Sequence, residues 1–278
     1  MHYGFIIPNG DVHSIPDLTA EAEEAGWDGV FIPDCISIET PTYPASEWYD
    51  PWILLALMAV RTQRVRLGTM LTPVSRRRPW KLARELITLD RLSNGRMVLP
   101  VGLGAAEDDA GFYKVGEEMS LKGRAQLLDE SLDILDGLWR GQPFSYAGEH
   151  YQIAGMTLLP TPVQRIPIWV VGAWPRQKSM QRALRWDGIM PTKKDGSNSA
   201  MTPADVRAMR TYIAEHRQAS TPFDIVIEGE TPGADHEQAA ALVHAWEEAG
   251  ATWWLESMWG DGVTGADVRQ RIQQGPPR

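Results

Sequence analysis

Residues 65–104 limit the possible folds more tightly than any other stretch, because strand, loop, helix, turn and strand follow one another within them. The apolar run 65–71 is rich in β-formers. A polar, proline-marked loop, 72–78, follows it. Pro79 then stands where a helix can start, since its missing N–H costs nothing in a first turn. Leu82, Leu86, Leu89 and Leu92 recur at helical spacing, and Asn94-Gly95 stops the helix. A second apolar run, 97–101, ends in Gly102-Leu103-Gly104. Two strands that are apolar throughout, joined by a helix, form a parallel βαβ unit with both sheet faces covered. Ligands of such sheets gather beyond the carboxyl ends of the strands.

The same alternation runs along the chain. Strands are predicted at 3–8, 29–33, 65–71, 97–101, 166–171, 188–190, 223–227 and 252–255, each followed by a helix, the last at 265–273. The proline- and glycine-rich piece 142–162 reads as a short insertion, a small hairpin, ahead of the fifth strand. No linker or composition shift divides the units. Eight strand–helix pairs predict an α/β fold, a (β/α)8 TIM barrel forming one domain over residues 1–278; an open doubly wound sheet of fewer strands is the alternative.

Charge narrows the partners. With 27 basic and 36 acidic residues the net charge is −9, which argues against nucleic acid or an anionic membrane. The single cysteine, Cys35, excludes an internal disulfide and points to a reducing, cytoplasmic setting. The N-terminus shows no signal-peptide pattern, and no run is long enough for a membrane span. The six histidines are scattered, so no metal site is expected.

Three strand ends are candidates for chemistry. In Gly172-Ala173-Trp174-Pro175-Arg176 a strand runs out into a helix start. A helix terminus offers free N–H groups and a positive dipole end to a phosphate, with Arg176 or Lys178 adding charge; an ordinary strand-to-helix turn is the other reading. Gly102-Leu103-Gly104 lacks the third glycine of a dinucleotide loop and suits a wall for a planar ring, or simply a tight turn. Asp34 could accept a hydrogen bond from a cofactor, act as a base, or only close a surface turn; Cys35 beside it is a nucleophile or an inert thiol. Arg76-Arg77-Arg78 reads as a phosphate clamp or a solvated loop edge.

The segments GWDGVFIPD (26–34), VRLGTMLTP with RRRPWKLARE (65–85), LDRLSNGRMVLPVGLG (89–104) and IPIWVVGAWP with ALRWDG (166–188) resemble, in order and spacing, the bacterial luciferase-like family of flavin- and deazaflavin-dependent oxidoreductases. The resemblance covers the chain to about residue 191; the last three strands match by pattern alone. It implies a barrel that holds FMN or coenzyme F420 non-covalently at the carboxyl ends of its strands. Asp34 would border the ring. Met70 and Leu71, with Thr69 beside them, would back it, where many members carry a non-prolyl cis peptide. Gly104 and Asp108 would line the other edge, and Gly172, Ala173 and Trp174 the phosphate. Cys35 stands where several members carry histidine, which argues against a dehydrogenase relying on that base.

The expected activity is hydride transfer to or from a small organic substrate, or monooxygenation by reduced FMN and oxygen. Asp34, Glu107 and Asp108 are the expected catalytic groups, Trp48 and Trp174 the pocket-shaping rings, and a homodimer the expected assembly. A non-catalytic flavin-binding barrel, or a metal-dependent hydrolase using Asp34, Glu107, Glu228 and Glu256, are the alternatives.

Overall fold

The computed structural model describes residues 1–38, 47–104, 111–196, 199–260 and 262–278. Apolar runs become strands and amphipathic runs become the helices that cover them. In chain order the strands are β1 (His2–Ile6), β2 (Gly29–Ile32), β3 (Arg66–Thr69), β4 (Thr72–Pro73), β5 (Leu99–Gly102), β6 (Phe144–Ala147), β7 (Gln152–Met156), β8 (Ile168–Trp174), β9 (Gly188–Lys193), β10 (Asp224–Gly229) and β11 (Trp253–Glu256). The helices are α1 (Ser14–Glu24), α2 (Pro51–Arg61), α3 (Pro79–Leu92), α4 (Leu121–Trp139), α5 (Gln177–Ala183), α6 (Pro203–His216), α7 (His236–Ala249) and α8 (Gly265–Gln273). Helix starts follow local chemistry: Asp50 caps α2 ahead of Pro51, and Thr202 with Asp205, like Thr264 with Asp267, forms a capping box.

Nine segments form one parallel sheet in the order β3-β2-β1-β11-β10-β9-β8-β5-β4. The expected strand 65–71 is split, because its two ends serve different neighbours: β3 pairs with β2 and β4 with β5. Leu67 also bridges Met97 in parallel, so β3 and β4 are two arms of one strand and the ring closes as a (β/α)8 barrel. The Met70–Leu71 peptide between the arms is cis. The expected insertion is present as the antiparallel hairpin β6–β7. It is anchored to α4 by Glu130, whose carboxylate accepts the amides of Glu149, His150 and Tyr151 at 2.8–3.1 Å.

Strand alternation sorts side chains into two cores. Outward residues such as Val30, Leu67, Leu99, Val170 and Ile227 pack under the helices, joined there by Leu82, Leu86 and Ile87 of α3. Inward residues Ile6, Phe31, Val98, Trp169, Met190, Val226, Trp253 and Leu255 form a separate plug. Phe31, Trp169 and Trp253 fill the lower barrel, with ring centroids 5.2–6.4 Å apart. Inward glycines make room for them: a Cβ on Gly68 would stand 2.6 Å from the Val98 carbonyl oxygen, and one on Gly4 2.5 Å from Leu255.

Candidate functional site

Above that plug, at the carboxyl ends of the strands, the inward positions are small or apolar over part of the ring. Met70 and Val171 are half-buried against the plug. Gly102 lies beside both Leu71 and Val171, each about 3.1–3.3 Å from where its Cβ would be. Thr69 and Thr72, from the two arms of the split strand, join through their hydroxyls at 2.5 Å. Thr69, Met70, Leu71, Gly102 and Val171 therefore share one edge of the barrel mouth, a largely apolar shelf.

The glycine loop beside the shelf is held from outside. Arg124, buried in the first turn of α4, donates to the carbonyls of Leu103 and Gly104, both at 2.8 Å. Gly104 has φ +76°, and Phe112 packs where a side chain on it would be. Nothing in the sequence around Arg124 marks it as reaching back to this loop; only the fold brings them together. Glu107 and Asp108, expected as catalytic and ring-edge groups, lie outside the described residues.

Asp34 keeps the outward parity of Val30 and Ile32. Its side chain is 1% exposed and is held between two guanidinium groups. Arg76 donates to Oδ1, while Arg77 spans both oxygens at 2.8 Å. Arg77 also lies 5.2 Å over the Trp52 ring, and Arg76 5.8 Å from that of Phe112. The arrangement joins the end of β2 to the loop after β4. Arg76 and Arg77 are thereby committed to Asp34, whereas Arg78 lies over Trp80.

Where the strand was expected to give way to a helix start, Gly172, Ala173 and Trp174 are still strand, and Pro175 and Arg176 form the turn before α5. β8 continues to Trp174 because β9 offers partners as far as Lys193, and α5 starts only at Gln177. The Ala173 amide donates to the Ser179 hydroxyl at 2.8 Å. Gly172 faces the outer core beside Ile189. Trp174 turns away from the mouth, its ring edge-on to Tyr212 of α6 at 6.0 Å, and so does not line the pocket. Arg176 and Lys178 remain exposed at this end of the strand.

Two other polar residues at strand ends also face outward. Glu256 is buried beneath α8, where Arg271, Thr231 and Trp254 satisfy it. Lys193 pairs with Asp205 at 3.0 Å, and that hydrogen bond raises its pKa. Glu228, by contrast, faces inward: it is level with Leu255 and two residues beyond Val226. It is exposed and accepts the indole N–H of Trp259. Among the described residues no group of His, Cys, Asp and Glu side chains is arranged to hold a metal ion, and no helix is long and apolar enough to cross a membrane.

Comparison with known proteins places this geometry. The family model described as luciferase-like monooxygenase matches residues 3–272. An F420-dependent glucose-6-phosphate dehydrogenase of Nakamurella multipartita is 30% identical over 84% of this chain and 67% of its own length. Another, of Microbacterium testaceum, is 33% identical over 64% of this chain and 52% of its own. The chain thus spans about half to two thirds of these relatives. Among solved structures, an F420-dependent secondary alcohol dehydrogenase in complex with an F420-acetone adduct superposes with a TM-score of 0.77 at 17% identity, covering 98% of both chains. Monooxygenase RslO1 from Streptomyces bottropensis gives 0.77 at 19% identity, covering 99% of this chain and 97% of its own.

Proposed function

The chain belongs to the luciferase-like monooxygenase family, and from that premise we propose that it is an oxidoreductase dependent on coenzyme F420 or FMN. The dehydrogenases it resembles favour F420. Residues 1–278 would act as one barrel domain, with a small organic molecule as substrate.

The observation that carries this reading is the shelf of Met70, Leu71, Gly102 and Val171 at the mouth of a barrel plugged from below. Its apolar, uncharged residues support reading it as the seat of a flat tricyclic ring. Thr69 and the loop at Gly104, fixed by Arg124, would bound the ring, and exposed Arg176 and Lys178 would supply charge to its phosphate tail. Of Gly172, Ala173 and Trp174, the backbone alone is placed to help, and the Ala173 amide would first have to leave Ser179. When bound, such a ring carries the redox chemistry, accepting or giving a hydride; the protein positions it and keeps water away. Asp34 would fix the shelf from behind rather than move a proton. Glu107 and Asp108 remain the proposed polar groups at the ring edge.

We also propose a cytoplasmic homodimer. Its support is α2, whose outer face exposes Ile53, Leu57 and Val60 at helical spacing, 66%, 39% and 56% accessible. Sedimentation velocity on the purified protein tests this, with monomer throughout the micromolar range as the contrary result.

The cofactor reading is tested by titrating the protein with FMN and, separately, with F420, while following absorbance and fluorescence. Saturable binding at or below tens of micromolar is expected for at least one; no change with either overturns it.

A further inference from the structure

We propose that Glu228 and Trp259 form the substrate-selecting site at the mouth and that this site takes an organic ammonium group. The proposal rests on the cofactor reading only in treating the mouth as the place where substrate binds. In the last inward layer the strands contribute Met70, Gly102, Ala173, Thr192, Glu228 and Ser257. Glu228 is the only ionisable side chain of that layer among the described residues. Its position is set by register: it pairs with Leu255, which is fully buried in the plug, and follows Val226 on the same face. A carboxylate here stands on an apolar base and points into the opening.

Its surroundings leave it available. The Trp259 indole, 49% exposed, donates to Oε1. No ion pair among the described residues reaches Glu228, whereas Asp34, Glu256 and Asp205 are each committed to cations of their own. An anionic oxygen beside an exposed indole face supplies both halves of an ammonium site, charge attraction and cation–π contact. The opposite charge would be repelled, and a neutral donor would gain the hydrogen bond alone. In the sheet order β10 is separated by β9 from β8, and β8 is followed by β5 and β4, so a substrate anchored at Glu228 would extend toward the shelf.

The test uses three probes of one shape: benzylammonium, benzyl alcohol and benzoate, titrated at pH 7.5 by saturation-transfer NMR against the full chain. The expected order is ammonium tighter than alcohol by about fivefold or more, with benzoate weakest. E228Q keeps an acceptor for Trp259 but removes the charge, and should cut the preference for ammonium over alcohol by about threefold or more. W259F should weaken all three probes. Benzoate binding as tightly as benzylammonium, or a preference unchanged in E228Q, overturns the proposal. FMN and F420 titrations of the wild type are read separately. If neither cofactor binds while the Glu228-dependent order holds, the cofactor reading fails and this one stands.

Discussion

Arg77 spans the Asp34 carboxylate, its Nη2 2.8 Å from both oxygens and its Nε 3.1 Å from Oδ2. With Arg76 on the same group, the end of β2 is tied to the turn that follows β4. Removing the carboxylate leaves two largely buried cations without it. D34A should therefore cost about 3–5 kcal/mol, read as a lowered urea midpoint with little change in slope. R77K keeps the charge but loses the two-pronged fit and should cost about 1–2 kcal/mol. A D34A protein as stable as wild type would show that the cluster holds nothing together.

Arg96 should behave as a bolt. It is 8% exposed and donates to the carbonyls of Ala59, Thr62, Val65 and Ser93 and to the Thr62 hydroxyl. Those bonds join the end of α2, the start of β3 and the turn after α3. R96A strands several buried carbonyls at once, so a loss of about 3 kcal/mol or more is expected. Guanidinium denaturation measures it, and a loss below about 1 kcal/mol contradicts the account.

Asp224 gives the pH dependence. Burial raises its carboxyl pKa above the ordinary 3.8, against the opposing hydrogen bonds from Thr252 and Trp169. The unfolded chain therefore releases this proton first as pH rises. Stability falls from about pH 3.8 up to the higher native pKa, and the loss is complete above it. D224N removes the penalty while keeping an acceptor for Trp169. Its melting temperature should exceed that of wild type by about 2 °C or more at pH 7.5 and lose that advantage near pH 3.5. Equal differences at both pH values would remove this explanation.

Glu130 should control the hairpin without disturbing the barrel. E130A leaves the amides of Glu149, His150 and Tyr151 without their acceptor. Hydrogen exchange in β6 and β7 should then quicken by about tenfold or more while β8 and β9 keep their protection. Uniform loss of protection across the barrel would count against a local role.

Most of the architecture is readable because a strand buried on both faces shows as a short continuous apolar run, and a helix buried on one face keeps its 3.6-residue period. Leu82, Leu86 and Leu89 were placed by spacing alone, and they are core residues. The reading lost its hold at the strand ends. Nothing local shows that β9 continues to Lys193 and thereby draws Gly172, Ala173 and Trp174 into strand. Asp34 stood out as a carboxylate at a strand end, yet its outward parity and two arginine partners depend on the fold. Glu228 and Glu256 look alike in sequence; one residue of register puts the first in the mouth and the second under α8. Arg96 was visible only inside a family motif, with no hint that five acceptors converge on it.

The plug of Phe31, Trp169 and Trp253 makes the barrel a vessel with one opening. Traffic through a single doorway is a queue: the molecule seated deepest must arrive first and depart last. If a ring rests on Met70 and Val171 as proposed, a reaction that needs two partners together would be compulsorily ordered, and the outer partner would have to leave before the ring could.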